Sequence, residues 1–520
     1  MKHLLISIFL LLAAHLSYAG EIVVNPDESL HEALRKAREW RRTNDPRCKG
    51  GITITLQEGR YYMSEPLFLR PEDSGTKESP LVIRGIGEKH TSVICGDPRQ
   101  KHRQIWPLKE QDDGLPKNRH DDGLPMKGME RMIDFNPAHR TITIPTPPQH
   151  VLQTKNLEMV VHQRWAIAIL RVKDIRVLSD SVAEVSFMEP ESRLEFEHPW
   201  PQPVIGGEKG NSSFLLRTTE QRDGIEQLVV IDGANYVRFE GLTFKNTCWN
   251  RPLHKGHVTL QGGFPIVDAY KLVVPGLPWD KDLENQAWIE RPVSAVTVRN
   301  AHHVDFYSVL FENLAATALD FVDNVSDCVV QKCTFGNIGG TAIMGGSFAE
   351  SPREVHRPYT DLAKRCQRLT IKENFVVDAA NEDWGAVGIA LGYVRHCTIS
   401  KNHVFFLSYS GICVGWGWTP LNTGMENNRI EGNKVSYYAR QLYDAGGIYT
   451  LSNQPGSVIS GNDISAPFPA PYATNNRGFR IYLDARTDGF TIENNETEGR
   501  LIRRDEIGDN HPGPNLIFKQ

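Results

Sequence analysis

Two aspartates in the C-terminal part of the chain lie between aromatic and glycine residues, where a carboxylate contributes little to packing. Asp444 lies in the run 442–450 (LYDAGGIYT), and Asp484 ends the run 480–484 (RIYLD). A pair of carboxylates can serve as the general acid and the base or nucleophile that cleave a glycosidic bond. The alternative is that each aspartate caps a turn. We predict Asp444 and Asp484 as the catalytic pair.

Aromatic and charged residues elsewhere in the chain are candidates for binding a sugar. An indole or phenol ring offers a flat apolar face together with a polar tip. Core packing is the alternative for the tryptophans, and a surface strand is the alternative for the run 162–165 (HQRW). Glu382 and Asp383 are reserve candidates for catalysis. The predicted substrate-binding residues are Asp383, Trp384, Trp416, Trp418, Tyr449, His162 and Arg164.

A repeated pattern in the second half of the chain determines where these residues lie. In each repeat a β-branched or aromatic residue is followed within three positions by an asparagine. A short strand, a turn and another short strand form one coil of a right-handed parallel β-helix. Asparagine tolerates the left-handed turn conformation, and its amide can bond to the amide one rung away. The repeated asparagines are Asn313, Asn337, Asn374, Asn402, Asn433, Asn462 and Asn494.

Alignment of the coils brings the candidate residues to one face of the helix. The coils align on the dipeptides 388–389, 411–412, 447–448 and 480–481. Adjacent rungs of a parallel sheet lie ~4.8 Å apart, so side chains one or two rungs apart are ~5–10 Å apart. That range includes the carboxylate separations of retaining and inverting glycosidases.

The predicted fold is all-β: a right-handed parallel β-helix with an inserted antiparallel β module and a short N-terminal capping helix. Helical periodicity over 29–41, with Ser29 as N-cap, predicts the capping helix. The insert lacks the asparagine pattern. The predicted segments are a signal peptide (1–19), the N-terminal cap and first coils (20–98), the inserted β-rich module (99–225), the main β-helix (226–500) and a C-terminal tail (501–520).

The N-terminus and the charge balance predict where the protein acts. Lys2, the apolar run 4–12 and the sequence Ser17-Tyr18-Ala19 are typical of a secretory signal cleaved after Ala19. We therefore expect a secreted or periplasmic protein. A net charge of -5 gives no basic footprint for nucleic acid or an anionic membrane. The expected partner is a poly- or oligosaccharide, bound by a monomer.

No metal or cofactor is predicted. The eight cysteines include no CxxC pair, and their density is low for a disulfide scaffold. The duplicated Asp-Asp-Gly at 112–114 and 121–123 could bind calcium, but it lacks the full spacing of a calcium loop. A solvated loop is the favoured interpretation.

Several motifs resemble the β-helical glycoside hydrolases of family 141. They are the runs 409–418 (YSGICVGWGW), 442–450 and 481–484, together with 162–165 ahead of 170–172. The resemblance implies α-L-fucosidase or xylanase activity on plant cell-wall polymers, with the catalytic aspartates at Asp444 and Asp484. The β-xylosidases of family 120, which use an Asp/Glu pair, are more distantly similar.

Two other functions fit a β-helix. A calcium-dependent polysaccharide lyase uses the same scaffold for different chemistry, and a non-catalytic solenoid could bind carbohydrate. A lyase needs a Lys or Arg base beside an acidic calcium cluster, whereas the conspicuous coils offer aspartates and tryptophans. The sequence therefore favours hydrolysis of a glycosidic bond by an aspartate pair.

Overall fold

The computed structural model describes residues 20–86, 92–96, 129–197, 201–218, 224–268, 288–350, 353–354, 364–470, 474 and 477–519. The predicted signal peptide and both Asp-Asp-Gly runs lie outside these ranges. Within them, no helix is long and apolar enough to cross a membrane. All eight cysteines are free, and six of them are buried.

Three long parallel sheets form the body of the described protein, and each coil adds one strand to each sheet. The first sheet has 12 strands. They are Gly20–Val24, Ile52–Leu56, Leu81–Gly85, Val237–Glu240, Val304–Tyr307, Val329–Gln331, Thr370–Lys372, Thr398–Ser400, Arg429–Glu431, Asn453–Ser460, Asp488–Glu493 and Ile517–Lys519. The second sheet has 11 strands, of which the last two pair antiparallel. They are Gly59–Tyr62, Ser92–Cys95, Thr243–Lys245, Leu310–Leu314, Thr334–Ile338, Phe375–Val377, His403–Phe405, Lys434–Ser436, Asp463–Ile464, Glu496–Thr497 and Arg500–Leu501.

The third sheet carries the candidate aspartates at the ends of its strands. It has 10 strands in the described residues. They are Leu67–Leu69, Val229–Asp232, Ser294–Arg299, Thr317–Phe321, Ile343–Gly345, Ile389–Leu391, Ile412–Val414, Ala445–Thr450, Gly478–Leu483 and Ile507–Asp509. The predicted all-β parallel β-helix is confirmed.

Stacked apolar side chains fill the interior because equivalent residues of successive coils lie in register. Ile371 pairs with Ile399, and Ile399 pairs with Ile430, along the first sheet. In the second sheet, Phe311 stacks on Phe335 with ring centroids 4.5 Å apart. Since each coil covers the apolar face of the next, the core extends along the whole helix rather than around one centre.

The asparagine pattern forms a buried amide ladder along five coils. The Nδ2 of Asn402 donates to the Oδ1 of Asn433 at 2.9 Å, and the Nδ2 of Asn433 donates to Asn462 at 3.0 Å. The last rung is Asn495 and not Asn494. In this ladder the residue before each asparagine takes the left-handed turn conformation, as Asn494 does at φ 54°. This turn lets the side chain of the ladder asparagine point inward and bond to the asparagine of the neighbouring coil.

Helices and an antiparallel sheet cover the parallel body. The helix Leu30–Arg42 begins at Ser29, whose Oγ accepts the N–H of Glu32, and its buried face includes Leu34 and Trp40. Within the described residues the other α-helices are Gln149–Leu152, Glu191–Glu197 and Arg251–Lys255. The short 3₁₀ segments are Pro46–Gly50, Pro71–Asp73, Gln261–Gly263 and Arg504–Glu506. The capping helix thus matches its sequence signals.

The inserted module forms an antiparallel sheet that also takes in later parts of the chain. Ile169 pairs with His257, so the excursion after residue 247 extends the module. Two further strands, Cys366–Gln367 and Val394–Arg395, form a separate parallel pair. The strands of the antiparallel sheet are Met129–Arg131, Asp134–Asn136, Thr141–Pro145, Leu157–His162, Ile167–Val177, Val182–Phe187, Ser213–Thr218, His257–Leu260, Phe264–Asp268, Trp288–Ile289, Ala349–Glu350 and Arg353–Glu354.

Candidate functional site

The two predicted catalytic aspartates flank neighbouring strands of the third sheet. Asp444 directly precedes the strand Ala445–Thr450, and Asp484 directly follows the strand Gly478–Leu483. These strands pair in parallel, and Tyr449 lies opposite Tyr482. Each tyrosine hydroxyl reaches one of the aspartates, so the tyrosine pair connects the two carboxylates.

Asp444 sits at a turn and is held by a hydroxyl and a guanidinium. Its φ of 61° places it in the left-handed region, which is uncommon for residues other than glycine but which aspartate tolerates better than most. The Tyr482 hydroxyl donates to its Oδ1 at 3.0 Å, and the Nε of Arg477 lies 3.2 Å from the same oxygen. The side chain is 21% exposed. The carboxyl is therefore fixed in direction while part of it faces solvent.

The environment of Asp444 favours its protonated form. Burial, followed by the negative charge of Asp484, raises the pKa of Asp444 to about 6. Arg477, the Tyr482 hydrogen bond and the charge of Arg164 oppose this rise in pKa. A carboxyl with a raised pKa beside a second carboxyl is the arrangement in which one group can serve as a general acid.

Asp484 is buried and accepts two hydrogen bonds. The Tyr449 hydroxyl donates to its Oδ2, and the Nδ2 of Asn510 donates to its Oδ1 at 2.8 Å. Only 6% of the residue is exposed. Because both oxygens have donors, the carboxylate is held in one orientation, as a base or nucleophile requires.

Gln261, from the excursion that joins the module, completes this hydrogen-bond network. Its Nε2 donates to the hydroxyls of Tyr409 at 3.0 Å and Tyr449 at 2.7 Å. The Tyr409 hydroxyl in turn donates to the carbonyl of Asp444 at 2.9 Å. Gln261 is 9% exposed. One amide thus orients the hydroxyl that bonds to Asp484 and the turn that carries Asp444.

Replacing Gln261 by leucine is expected to lower kcat by about 5- to 100-fold. The change leaves two buried phenol oxygens without their donor, which is worth about 1–3 kcal/mol. The pH profile of kcat should also shift, because Tyr449 then orients Asp484 less well. The control is Gln454→Leu, which removes another buried amide, bonded to the carbonyls of Val414 and Leu451. Equal pH profiles for wild type and Gln261→Leu would contradict a positioning role.

The sequence did not reveal Gln261, Arg477 or Asn510. Gln261 lies in an excursion without periodicity, and its partners follow it by 148 and 188 residues. Tyr409 and Tyr482 stood inside the recognised motifs, so their position in those runs was the available signal. Contacts between distant segments depend on how the module docks, which no local pattern records.

The predicted binding residues His162 and Arg164 lie in different environments. His162 is fully buried, its Nε2 lies 2.5 Å from the carbonyl of Gln441, and burial lowers its pKa to about 4. It anchors the module to the coil of Asp444, which contradicts the predicted contact with substrate. Arg164 is half-buried, and its charge acts on Asp444. Its role in substrate binding therefore stays a prediction, which the effect of its positive charge on Asp444 supports.

The three candidate tryptophans are buried, contrary to the expectation of exposed indole faces. Trp384 is 1% exposed, Trp416 is 4% exposed and Trp418 is 6% exposed. The Trp416 ring packs on Trp418 with centroids 4.8 Å apart, and on Phe264 at 5.2 Å. Because Phe264 belongs to the module, docking of the module covers rings that the repeat pattern alone would leave open. Tyr449 is likewise buried and bonds to Asp484.

Asp383, a predicted binding residue and reserve candidate, lies in a cavity of its own. Its Oδ2 is 2.8 Å from the Nε2 of His257, and its Oδ1 accepts the N–H of Gly385 at 3.1 Å. The neighbouring Glu382 is 4% exposed. Asp383 and His257 both line a cavity of about 280 Å³ between the parallel body and the module. Asp444 and Asp484 are not among the residues that line this cavity.

The fold and this site define a parallel β-helix with a paired-carboxylate centre. A solved glycoside hydrolase is 31% identical to the chain, covers 96% of both chains and superposes with a TM-score of 0.85. Residues 93–223 match the insertion domain of glycoside hydrolase family 141. The chain belongs to family 141 of the glycoside hydrolases.

Other solved structures superpose less closely on the chain. An alginate lyase from Paenibacillus is 11% identical with a TM-score of 0.41, covering 96% of this chain and 99% of the lyase. An exopolygalacturonase from Thermotoga maritima is 9% identical with a TM-score of 0.32, covering 96% of this chain and 93% of the exopolygalacturonase. A search of curated proteins found no match.

Proposed function

We propose that the protein hydrolyses a glycosidic bond in plant cell-wall polysaccharide or its oligosaccharides, of the α-L-fucoside or xylan and pectin type. Asp444 and Asp484 are the catalytic pair. The observation that supports this proposal most directly is the difference between the environments of the two carboxyls. Asp444 has a pKa raised to about 6, while Asp484 is held by two hydrogen-bond donors. Environments that differ in this way assign different roles to two carboxyls.

In this mechanism Asp444 donates a proton to the leaving-group oxygen as the glycosidic bond breaks. Asp484 supplies the carboxylate that acts on the other side of the reaction, as base or nucleophile. Arg477 and the Tyr482 hydroxyl orient the acid, and Tyr449 and Asn510 orient Asp484. The half-buried Arg164 lies near enough to act on the charge of Asp444, and it is the proposed substrate contact.

The pH dependence tests the acid. The value of kcat/KM should fall as pH rises through about 6, because Asp444 then loses the proton that it must donate. Arg477 lowers the pKa of Asp444, so Arg477→Gln should move this alkaline limb to higher pH. Initial rates of both proteins, measured at intervals between about pH 4 and pH 9, would show both effects. An alkaline limb that is the same in both proteins contradicts Asp444 as the acid.

The reaction type is tested by its products. Purified protein is incubated with xylan-derived, pectic and fucosylated oligosaccharides, and the products are separated by chromatography. Hydrolysis gives new reducing ends without an unsaturated uronate chromophore. Products that carry this chromophore would indicate a lyase, and binding without turnover on every glycan would indicate a non-catalytic solenoid.

We further propose that the protein acts as a secreted or periplasmic enzyme after cleavage of the signal peptide at Ala19.

A further inference from the structure

The cavity that contains Asp383 holds buried polar groups that the described protein leaves unsatisfied. Thr317 lines it, is 1% exposed, and its Oγ1 has no hydrogen-bond partner among the described residues. Within the same residues, the Oδ1 of Asn250 and the Nε of Arg251, also in the cavity wall, lack partners too. Buried polar groups are normally satisfied, so this concentration at one cavity points to a polar ligand.

Three basic groups of the cavity wall have carboxylate partners. Arg251 pairs with Glu290, Arg291 bonds to both oxygens of Asp320 at 2.6 Å, and the His257 ring contacts Asp383. Glu226 and the exposed Lys255 lie in the same wall with opposite charge. A phosphate or uronate would therefore meet no buried basic group that lacks a carboxylate partner among the described residues. A neutral ligand with hydroxyl groups fits the donors and acceptors present.

Apolar surface completes the wall and is suited to the body of a sugar ring. Val293, Ala316, Ala386 and Pro265 line the cavity beside the polar groups. Pockets for small ligands combine such an apolar lining with a few placed polar groups. A volume of about 280 Å³ is suited to a ligand of the size of a monosaccharide unit.

The segment Gln261–Gly263 connects this cavity to the aspartate pair. Gln261 bonds to the tyrosines at the aspartates, whereas Gly262 and Gly263 line the cavity. A side chain at Gly263 would place a Cβ 2.6 Å from the Oδ2 of Asp383, so a glycine is required there. Along the third sheet the strand after Asp383 lies two positions from the strand after Asp444, or about 10 Å.

We propose that this cavity is a sugar-binding subsite, which holds a neutral glycosyl residue of the substrate while another bond is cleaved at Asp444 and Asp484. The proposal rests on the proposed function for the identity of the substrate. In the subsite, the Thr317 hydroxyl, the Asn250 carbonyl and the Asp383 carboxylate bond to sugar hydroxyls. The enzyme therefore recognises an oligosaccharide at a point distinct from the cleaved bond.

Thr317→Val tests the subsite because it removes a hydroxyl without changing the shape of the side chain. The change is made in the Asp444→Asn variant, so that bound oligosaccharides persist during calorimetric titration. We expect affinity for neutral xylan-derived oligosaccharides to fall about 3- to 10-fold, as for one lost hydrogen bond. The melting temperature should stay equal or rise, because the part of the chain that the structure describes offers this hydroxyl no partner to lose.

Thr55→Val in the same background is the matched control. The buried Thr55 hydroxyl donates to Glu21 at 2.7 Å on the first sheet, so its loss should lower the melting temperature and leave affinity unchanged. Unchanged affinity in Thr317→Val, no binding by any neutral oligosaccharide, or tighter binding of a uronate oligosaccharide would each overturn the subsite. If wild-type protein hydrolyses nothing while Thr317→Val still weakens binding, the proposed function fails and the subsite stands.

Discussion

Replacing either Asp444 or Asp484 by asparagine is expected to lower kcat by at least about 10³-fold, corresponding to several kcal/mol of barrier. Asparagine is nearly isosteric and keeps hydrogen bonding, so the Tyr482, Tyr449 and Asn510 contacts have a partner in each variant. What is lost is ionisation, and with it proton transfer or nucleophilic attack. Initial rates on the oligosaccharide that the wild type cleaves fastest measure the effect.

The stability of Asp444→Asn separates this loss from misfolding. Because the pKa of folded Asp444 is raised from 3.8 to about 6, the folded protein holds its proton more tightly than the unfolded chain. Its contribution to stability therefore falls as pH rises between these values. Above pH 6 the variant no longer buries a charge there, and it should be more stable than wild type by on the order of 1–3 kcal/mol.

Asp320→Asn provides the opposite result for comparison. Asp320 is 1% exposed and pairs with the half-buried Arg291, so its neutralisation leaves that guanidinium without its carboxylate. That change should lower the melting temperature, as breaking a buried pair costs about 3–5 kcal/mol. Near-wild-type rates in both Asp444→Asn and Asp484→Asn would transfer the catalytic assignment to Asp383, the reserve candidate.

The features that could be read from the sequence are those that repeat along it. Each coil is specified by a few residues, so Ile399 and Asn402 have the same structural roles as Ile430 and Asn433 one coil later. The capping helix is local as well, because Ser29 acts within one turn. These local patterns are sufficient to place Asp444 and Asp484 on adjacent coils of one sheet.

What the sequence did not show depends on contacts between the module and the parallel body. His257 and Asp383 are separated by 126 residues, and Gln261 and Tyr449 by 188. Neither pair belongs to a period. The same docking converts Trp416 from an outward-facing ring to one covered by Phe264. The alternating pattern of its strands predicts that the module exists. How the module docks on the parallel body is determined only by side-chain packing in three dimensions.

Trp416→Ala is expected to lower the free energy of unfolding by about 3–5 kcal/mol, since the residue is 4% exposed and its loss opens a cavity. The ring fills the space between the third sheet and the module, against Phe264, Phe348 and Trp418. Its removal should therefore loosen the attachment of the segment that carries Gln261.

Thermal melts of wild type, Trp416→Ala and Tyr62→Ala would measure the effect. Tyr62 is 53% exposed on an early coil, so its truncation should leave the melting temperature nearly unchanged. Substrate titration of the folded protein completes the test. An unchanged melting temperature for Trp416→Ala together with a large rise in KM would show that the indole contacts substrate, which its burial opposes. A lowered melting temperature would instead show that this tryptophan joins the module to the helix and thereby maintains the network around Asp484.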